Sequence, residues 1–165
     1  MLSPAIERLL QDLRDEDSNR RDAATEALWQ MWFTQKGTRG LQRLRQSQVL
    51  LEGGHLAAAE ELLSRLIADL PDFAEAWNRR AVLYFVQERY EEAKTDCQRV
   101  VELIPYHFGA LHGLGLCYAA LEQYREAIQA FQQALEVQPY ALANQRLILE
   151  CTLRLEDDSN PAGPA

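Results

Sequence analysis

AEAWNRRAVLYFVQERYEEAKTDCQRVVELIPYH (residues 74–107) and FGALHGLGLCYAALEQYREAIQAFQQALEVQPYA (residues 108–141) are two copies of one pattern, 34 residues apart. Trp77 falls on Leu111, Ala81 on Gly115, Tyr84 on Tyr118, Tyr90 on Tyr124, Ala93 on Ala127 and Pro105 on Pro139. Packing explains the columns. Small residues at 81, 93, 115 and 127 let two antiparallel helices approach closely, while Trp77, Tyr84 and Tyr118 fill the space beside them. The prolines stop a second helix and start the link to the next unit. Such a period marks stacked helix–turn–helix units.

Upstream, Gly40–Phe73 is a degenerate third copy, with Ser47, Leu50, Ala59, Leu63, Leu66 and Pro71 in the matching columns and Arg43 where the next copy has Trp77. Together these residues resemble the tetratricopeptide repeat (TPR). Two departures stand out: Arg80 replaces the usual leucine, and Cys97 the aromatic that Phe131 supplies. The resemblance implies an all-α, right-handed α-solenoid of three TPR units (40–73, 74–107, 108–141). Helices are expected at 41–51 and 56–70, 74–87 and 90–103, and 109–121 and 124–137. Leu142–Leu155, apolar through Leu147, Leu149, Cys151 and Leu153, then stands where a fourth unit would begin and reads as a capping helix. The acidic, proline- and glycine-containing 156–165 reads as a disordered tail.

Residues 1–36 fall outside the 34-residue frame. Ser3-Pro4 with Glu7 is a helix start, and Ile6, Leu9, Leu10 and Leu13 share one face. A turn at 15–19 leads into a second helix, striped by Ala23, Ala24, Ala27, Leu28, Met31 and Trp32. LLQDLRDEDSNRRDAATEAL (9–28) resembles a HEAT repeat through Asp15, Asp17, Arg21, Ala23, Ala24, Ala27 and Leu28. This HEAT-like hairpin is expected to cap the exposed face of the first unit with Trp29, Trp32 and Phe33. Lys36–Gly40, with two glycines, reads as the linker between them.

The 165 residues carry a net charge of −8, which disfavours nucleic acid as a partner. No apolar run approaches the ~20 residues of a membrane span. The N-terminus lacks a charged-then-apolar signal pattern, so a cytoplasmic protein is expected, or a plastid-stromal one if a targeting peptide has been removed. Cys97, Cys117 and Cys151 show no CxxC spacing and read as small buried hydrophobes. His55 lies in a turn, and His107 and His112 are five apart rather than four on one helix face, a poor metal spacing. The acidic pairs Glu60-Glu61 and Glu91-Glu92 fall on outer, solvated faces, and no glycine loop cradles phosphate. These features predict a non-enzymatic protein with no cofactor or metal.

A surface remains. In stacked TPR units the first helices line a concave groove. The columns facing it read Leu44, Asn78, His112; then Arg45, Arg79, Gly113; then Gln48, Val82, Leu116; then Leu51, Phe85, Ala119. Arg45, Gln48, Asn78, Arg79, Val82, Phe85, His112 and Leu116 are the candidate partner-binding residues. The apolar ones suit a helix or extended peptide laid in the groove; alternatively, the hairpin or the C-terminal helix fills part of it. Lys36, Arg39, Arg43, Arg45, Arg79 and Arg80 form a basic strip. Either it attracts a partner with acidic residues, or Arg43 and Arg80 pair at an edge with Glu52 or Glu75. The carboxylate clamp by which some TPR domains hold chaperone C-termini needs lysine and asparagine where Leu44 and Gln48 stand, asparagine where Arg79 stands, and lysine or arginine where Gly109 and Gly113 stand. Shifted by one repeat it meets Asn78 and Val82, then Gly113, then Ala143 and Leu147, so that partner is disfavoured. The expected function is a protein–protein interaction adaptor or assembly factor, monomeric or weakly dimeric. The alternative is a structural subunit that self-associates through its groove or apolar solenoid ends.

Overall fold

The computed structural model describes residues 1–159, which form nine α-helices and no strand. They are α1 (Pro4–Asp12), α2 (Ser18–Phe33), α3 (Gly37–Glu52), α4 (Leu56–Asp69), α5 (Ala74–Val86), α6 (Tyr90–Leu103), α7 (Phe108–Ala120), α8 (Tyr124–Val137) and α9 (Leu142–Ser159). Helices α3 to α9 stack in chain order as an all-α TPR-type solenoid, each packed on the next.

Backbone geometry repeats with the sequence. At the tip of each helical pair an N–H reaches back five residues: His55 to the Leu50 carbonyl, Arg89 to Tyr84 and Gln123 to Tyr118, at 2.8, 2.9 and 2.8 Å. This closure of a helix C-terminus needs a left-handed residue just before it. Gly54 (φ 76°) takes that place in the first pair, and Glu88 and Glu122 (both φ 59°) take it in the next two. The links to the next pair repeat as well, with Leu70, Ile104 and Gln138 each donating to the carbonyl four residues back.

Phe73 and Phe131 are fully buried and anchor the stack. Gly115 is required beside Phe131, because a Cβ there would run into the phenyl ring. Trp77, expected at the heart of its unit, is only half-buried, and its indole N–H donates to the Pro71 carbonyl at 3.0 Å. Cys97, Cys117 and Cys151 are buried free thiols.

Two boundaries differ from the sequence expectation. The stretch 37–40 is the first turn of α3 rather than a linker, entered through Gly37 at φ 65°. Gly40 is held there because Phe73 packs over it, leaving about 3.1 Å for any Cβ. Helix α9 continues to Ser159, so 156–159 of the expected tail are helical, whereas 160–165 lie outside the described residues.

The N-terminal hairpin also sits differently. Ser3 and Asp17 cap α1 and α2, and Arg21 ties the turn by donating to the Asp15 and Glu16 carbonyls at 2.8 Å each. Besides touching α3 and α5, α1 and α2 lie against the segments leading into α7 and α9. Leu13, Ala24, Leu28 and Trp32 form a cluster with Phe108, Ile104, Tyr106 and Val137. Gln138 donates to the Thr25 hydroxyl at 3.3 Å, and the Arg21 guanidinium lies 3.9 Å from the centre of the Tyr140 ring. The physical reason is aromatic matching: Trp29 and Trp32 meet His107 and Phe108, and Phe33 stacks on Trp29.

Candidate partner-binding groove

Helix α2 forms one wall of the concave face. Between it and α3 and α5 lies a cavity of about 620 Å³, lined by Asp22, Glu26, Trp29, Phe33, Gln48, Leu51, Asn78, Arg79 and Val82 among others. It adjoins a second recess of about 240 Å³, where Val82, Phe85, Val86, His112 and Leu116 meet Gly109 and Gly113. Asn78 and Val82 border both, so the two recesses lie side by side along the face from α2 to α7, here called the groove.

Beneath the groove is a polar knot. The Glu75 carboxylate, 1% exposed, accepts from Asn78 Nδ2 (3.1 Å) and Arg79 Nε (3.4 Å) on one oxygen, and faces His107 Nε2 (3.2 Å) with the other. The fully buried His107 caps α7: its Nδ1 accepts from the Ala110 N–H at 3.0 Å. That bond leaves the proton on Nε2, which donates to Glu75. Trp32 stacks on the imidazole at 3.9 Å, and Trp29 meets it edge-on at 5.4 Å. Every polar atom is satisfied, as burial demands. Glu75 therefore joins α5, the α6–α7 link and, through His107, α2.

Seven of the eight candidate residues border the groove; Arg45 is exposed and lies outside both cavities. Val82 is 46% exposed, and Phe85 and Leu116 are half-buried, so all three offer apolar surface. Asn78 is buried and committed to Glu75. Arg79 is engaged three ways, by Glu75, by the Gln48 side-chain oxygen and by the Phe33 ring at 5.2 Å. His112 turns toward α9, its Nδ1 2.7 Å from Asn144 Oδ1. Leu44, placed in a groove column by its spacing, is core instead.

The basic strip is largely neutralised within the chain. Lys36 pairs with Asp72 at 2.6 Å and Arg43 with Asp69 at 2.8 Å. Arg80 grips both oxygens of the buried Asp96 at 2.7 and 2.9 Å and donates to Ser64 at 3.1 Å. The edge-pairing alternative thus describes Arg43 and Arg80, with Asp69 and Asp96 as partners rather than Glu52 and Glu75. Elsewhere, Arg89 bonds Glu60 at 2.8 and 3.2 Å and also Glu92. Those bonds hold both carboxyls below the usual glutamate value.

Sequence reasoning missed the groove's α2 wall. Trp29 and Phe33 read as capping surface, and nothing in the 34-residue columns marks Glu75 or His107, which align with Gly109 and Ala141. The hairpin lines the groove on one side through α2.

Residues 72–139 match the family model of the tetratricopeptide repeat. That stretch is a TPR region. A TPR repeat-containing protein of Rhizobium etli is 47% identical over 57 residues, covering 34% of this chain and 28% of that protein. The BBSome complex member BBS4 homolog of Drosophila melanogaster is 35% identical over 54 residues, 33% of this chain and 11% of that one. The matches thus span under a third of either relative. Among solved structures, the first TPR domain of Spaghetti (RPAP3) bound to an HSP90 peptide superposes with a TM-score of 0.68 at 20% identity, over 70% of this chain and 92% of that one. MamA AMB-1 gives 0.65 at 22% identity over 91% and 80%. At these identities the structural likeness speaks for the fold. The family model coincides with α5 to α8, and the HEAT-like resemblance of α1–α2 lies outside residues 72–139. Among the described residues, no helix is long and apolar enough to cross a membrane, and no group of three or more His, Cys, Asp or Glu is placed to hold a metal.

Proposed function

We propose that this protein is an interaction adaptor that holds a segment of a partner protein in the groove between α2 and the first helices α3, α5 and α7. One observation carries the reading: the two recesses adjoin, and their apolar side chains, Val82, Phe85, Leu116, Trp29 and Phe33, are left partly uncovered. A globular protein covers such a surface unless something else does. Recognition by insertion of a helix or strand into a helical groove follows the same physics. The solved domain of Spaghetti holds an HSP90 peptide, which supports peptide binding by a fold of this kind. The test is capture of binding proteins by the full chain and by Val82→Glu, followed by mass spectrometry. The adaptor reading requires partners that the wild type retains and Val82→Glu loses while its circular dichroism is unchanged. Partners retained equally by both would place binding elsewhere.

A second reading, self-association, rests on α9. Leu142, Leu149 and Leu153 are 72%, 59% and 51% exposed and, at spacings of seven and four, share one face. Light scattering across concentration tests it, and Leu149→Glu/Leu153→Glu is expected to abolish any dimer.

A further inference from the structure

We infer that the occupant of the groove is a cationic, apolar peptide segment: lysine or arginine next to leucine, isoleucine or phenylalanine, rather than an acidic tail. The inference rests on the adaptor reading and specifies its ligand. The argument is charge complementarity in the α2-walled cavity. Four charged side chains line it. Arg79 and Glu75 neutralise each other, with Gln48, Asn78 and His107 completing their bonds. Asp22 and Glu26 remain, both exposed, and neither makes an ion pair among the described residues.

Their position matters more than their number. Asp22, Glu26, Trp29 and Phe33 follow one another at spacings of four, three and four, so they share one face of α2. That face runs about 16 Å at 1.5 Å per residue, the span of roughly five extended residues. Trp29 and Phe33 lie stacked, 5.6 Å apart and 21° from parallel, at the end away from the carboxylates. A cationic side chain would find carboxylates at one end and an indole face beside them. Its apolar neighbours would reach Phe33, Leu51 and Val82. An acidic segment would meet two uncompensated carboxylates, and Arg79, the cation lining the cavity among the described residues, is already held by Glu75 and Gln48.

The test is selection of a random ten-residue phage-displayed library on the full chain, with anisotropy measured on the enriched peptides after fluorescein labelling. Basic–apolar sequences should be enriched. Asp22→Asn/Glu26→Gln should weaken them roughly tenfold, equal to about 1.4 kcal/mol. The matched control Glu126→Gln/Glu136→Gln removes the same charge from exposed, unpaired positions on α8 and should change binding less than about twofold. Enrichment of acidic sequences, equal losses in the two double variants, or no enrichment would each overturn the inference. Acidic peptides that Val82→Glu also loses would overturn it and leave the groove reading standing. Peptides of either charge that bind Val82→Glu unchanged would remove the groove reading itself.

Discussion

The contact between α7 and α8 and the contact between α2 and the groove solve the same burial problem with different chemistry. In the first, Gly115 opens a slot, Phe131 fills it, and Ala127, Ala130 and Ala134 close the seam. No charge is involved, and the residues recur at the repeat period. In the second, an ionisable pair, Glu75 and His107, is fully buried under two tryptophans. The first seam is held by close packing, whose energy depends on volume. The second depends on completing a hydrogen-bond network, in which one missing partner strands the others. A periodic seam tolerates drift in sequence, as the degenerate first unit shows. The polar seam holds only with its particular residues.

The largest expected effect separates the two ways of burying an aromatic. Phe131→Ala should destabilise by about 3–5 kcal/mol, since the ring is fully buried and the slot beside Gly115 cannot collapse. Trp77→Ala should cost clearly less, because the indole is half-buried at an edge. Chemical denaturation of both variants checks this, and equal midpoints would contradict the assignment of the core.

Next comes the polar seam. Glu75→Ala strands Asn78, Arg79 and His107 and should cost about 2–3 kcal/mol, of the order expected for unsatisfied buried groups. Because His107 carries the α2 contact, this variant should also loosen the hairpin, which Phe131→Ala should not do selectively. Hydrogen exchange on α2 distinguishes them: faster exchange in Glu75→Ala at a stability where α5–α8 stay protected is the expected result.

A smaller effect comes from the ion pairs joining α4 to α6. Since Arg89 holds the Glu60 and Glu92 carboxyls below the ordinary glutamate value, the stabilisation is fully present above that value. It is lost as pH falls through the lower folded-state values. Arg89→Gln should therefore lower the neutral plateau slightly, leave the acid end unchanged and so flatten the acid limb of a stability–pH curve. An acid limb identical to the wild type would assign the loss to other carboxylates.

The smallest effect is a gain. Glu122→Gly, at φ 59° where the first unit has Gly54, should stabilise by about 0.5 kcal/mol, relief of left-handed strain being partly offset by unfolded-chain entropy. A melting-temperature series with Gly54→Glu as the reverse exchange would measure the same term with opposite sign.

The 34-residue columns determined the helical pairs, because small and aromatic residues at fixed intervals admit only one way for neighbouring helices to approach. They located α4 to α8 to within a residue or two and placed Val82, Phe85 and Leu116 on the groove. They also showed that Leu142 begins another first helix, although its far end runs to Ser159. Where the columns carry no repeated constraint, spacing misled. Leu44 and Asn78 share a column with His112, yet Leu44 is core and Asn78 is buried against Glu75. The tertiary structure alone decided where α2 goes. Trp29, Trp32 and Phe33 announce an apolar face, but His107 and Phe108, which the two tryptophans meet, lie some 75 residues away. The fate of the arginines was decided the same way. Charge in the sequence is visible at every position; whether Arg79 and Arg80 are free or spent depends on Glu75 and Asp96 being buried beside them. Local patterns set the helices because helix packing repeats with the chain, whereas pairing across the groove depends on contacts between residues distant in sequence.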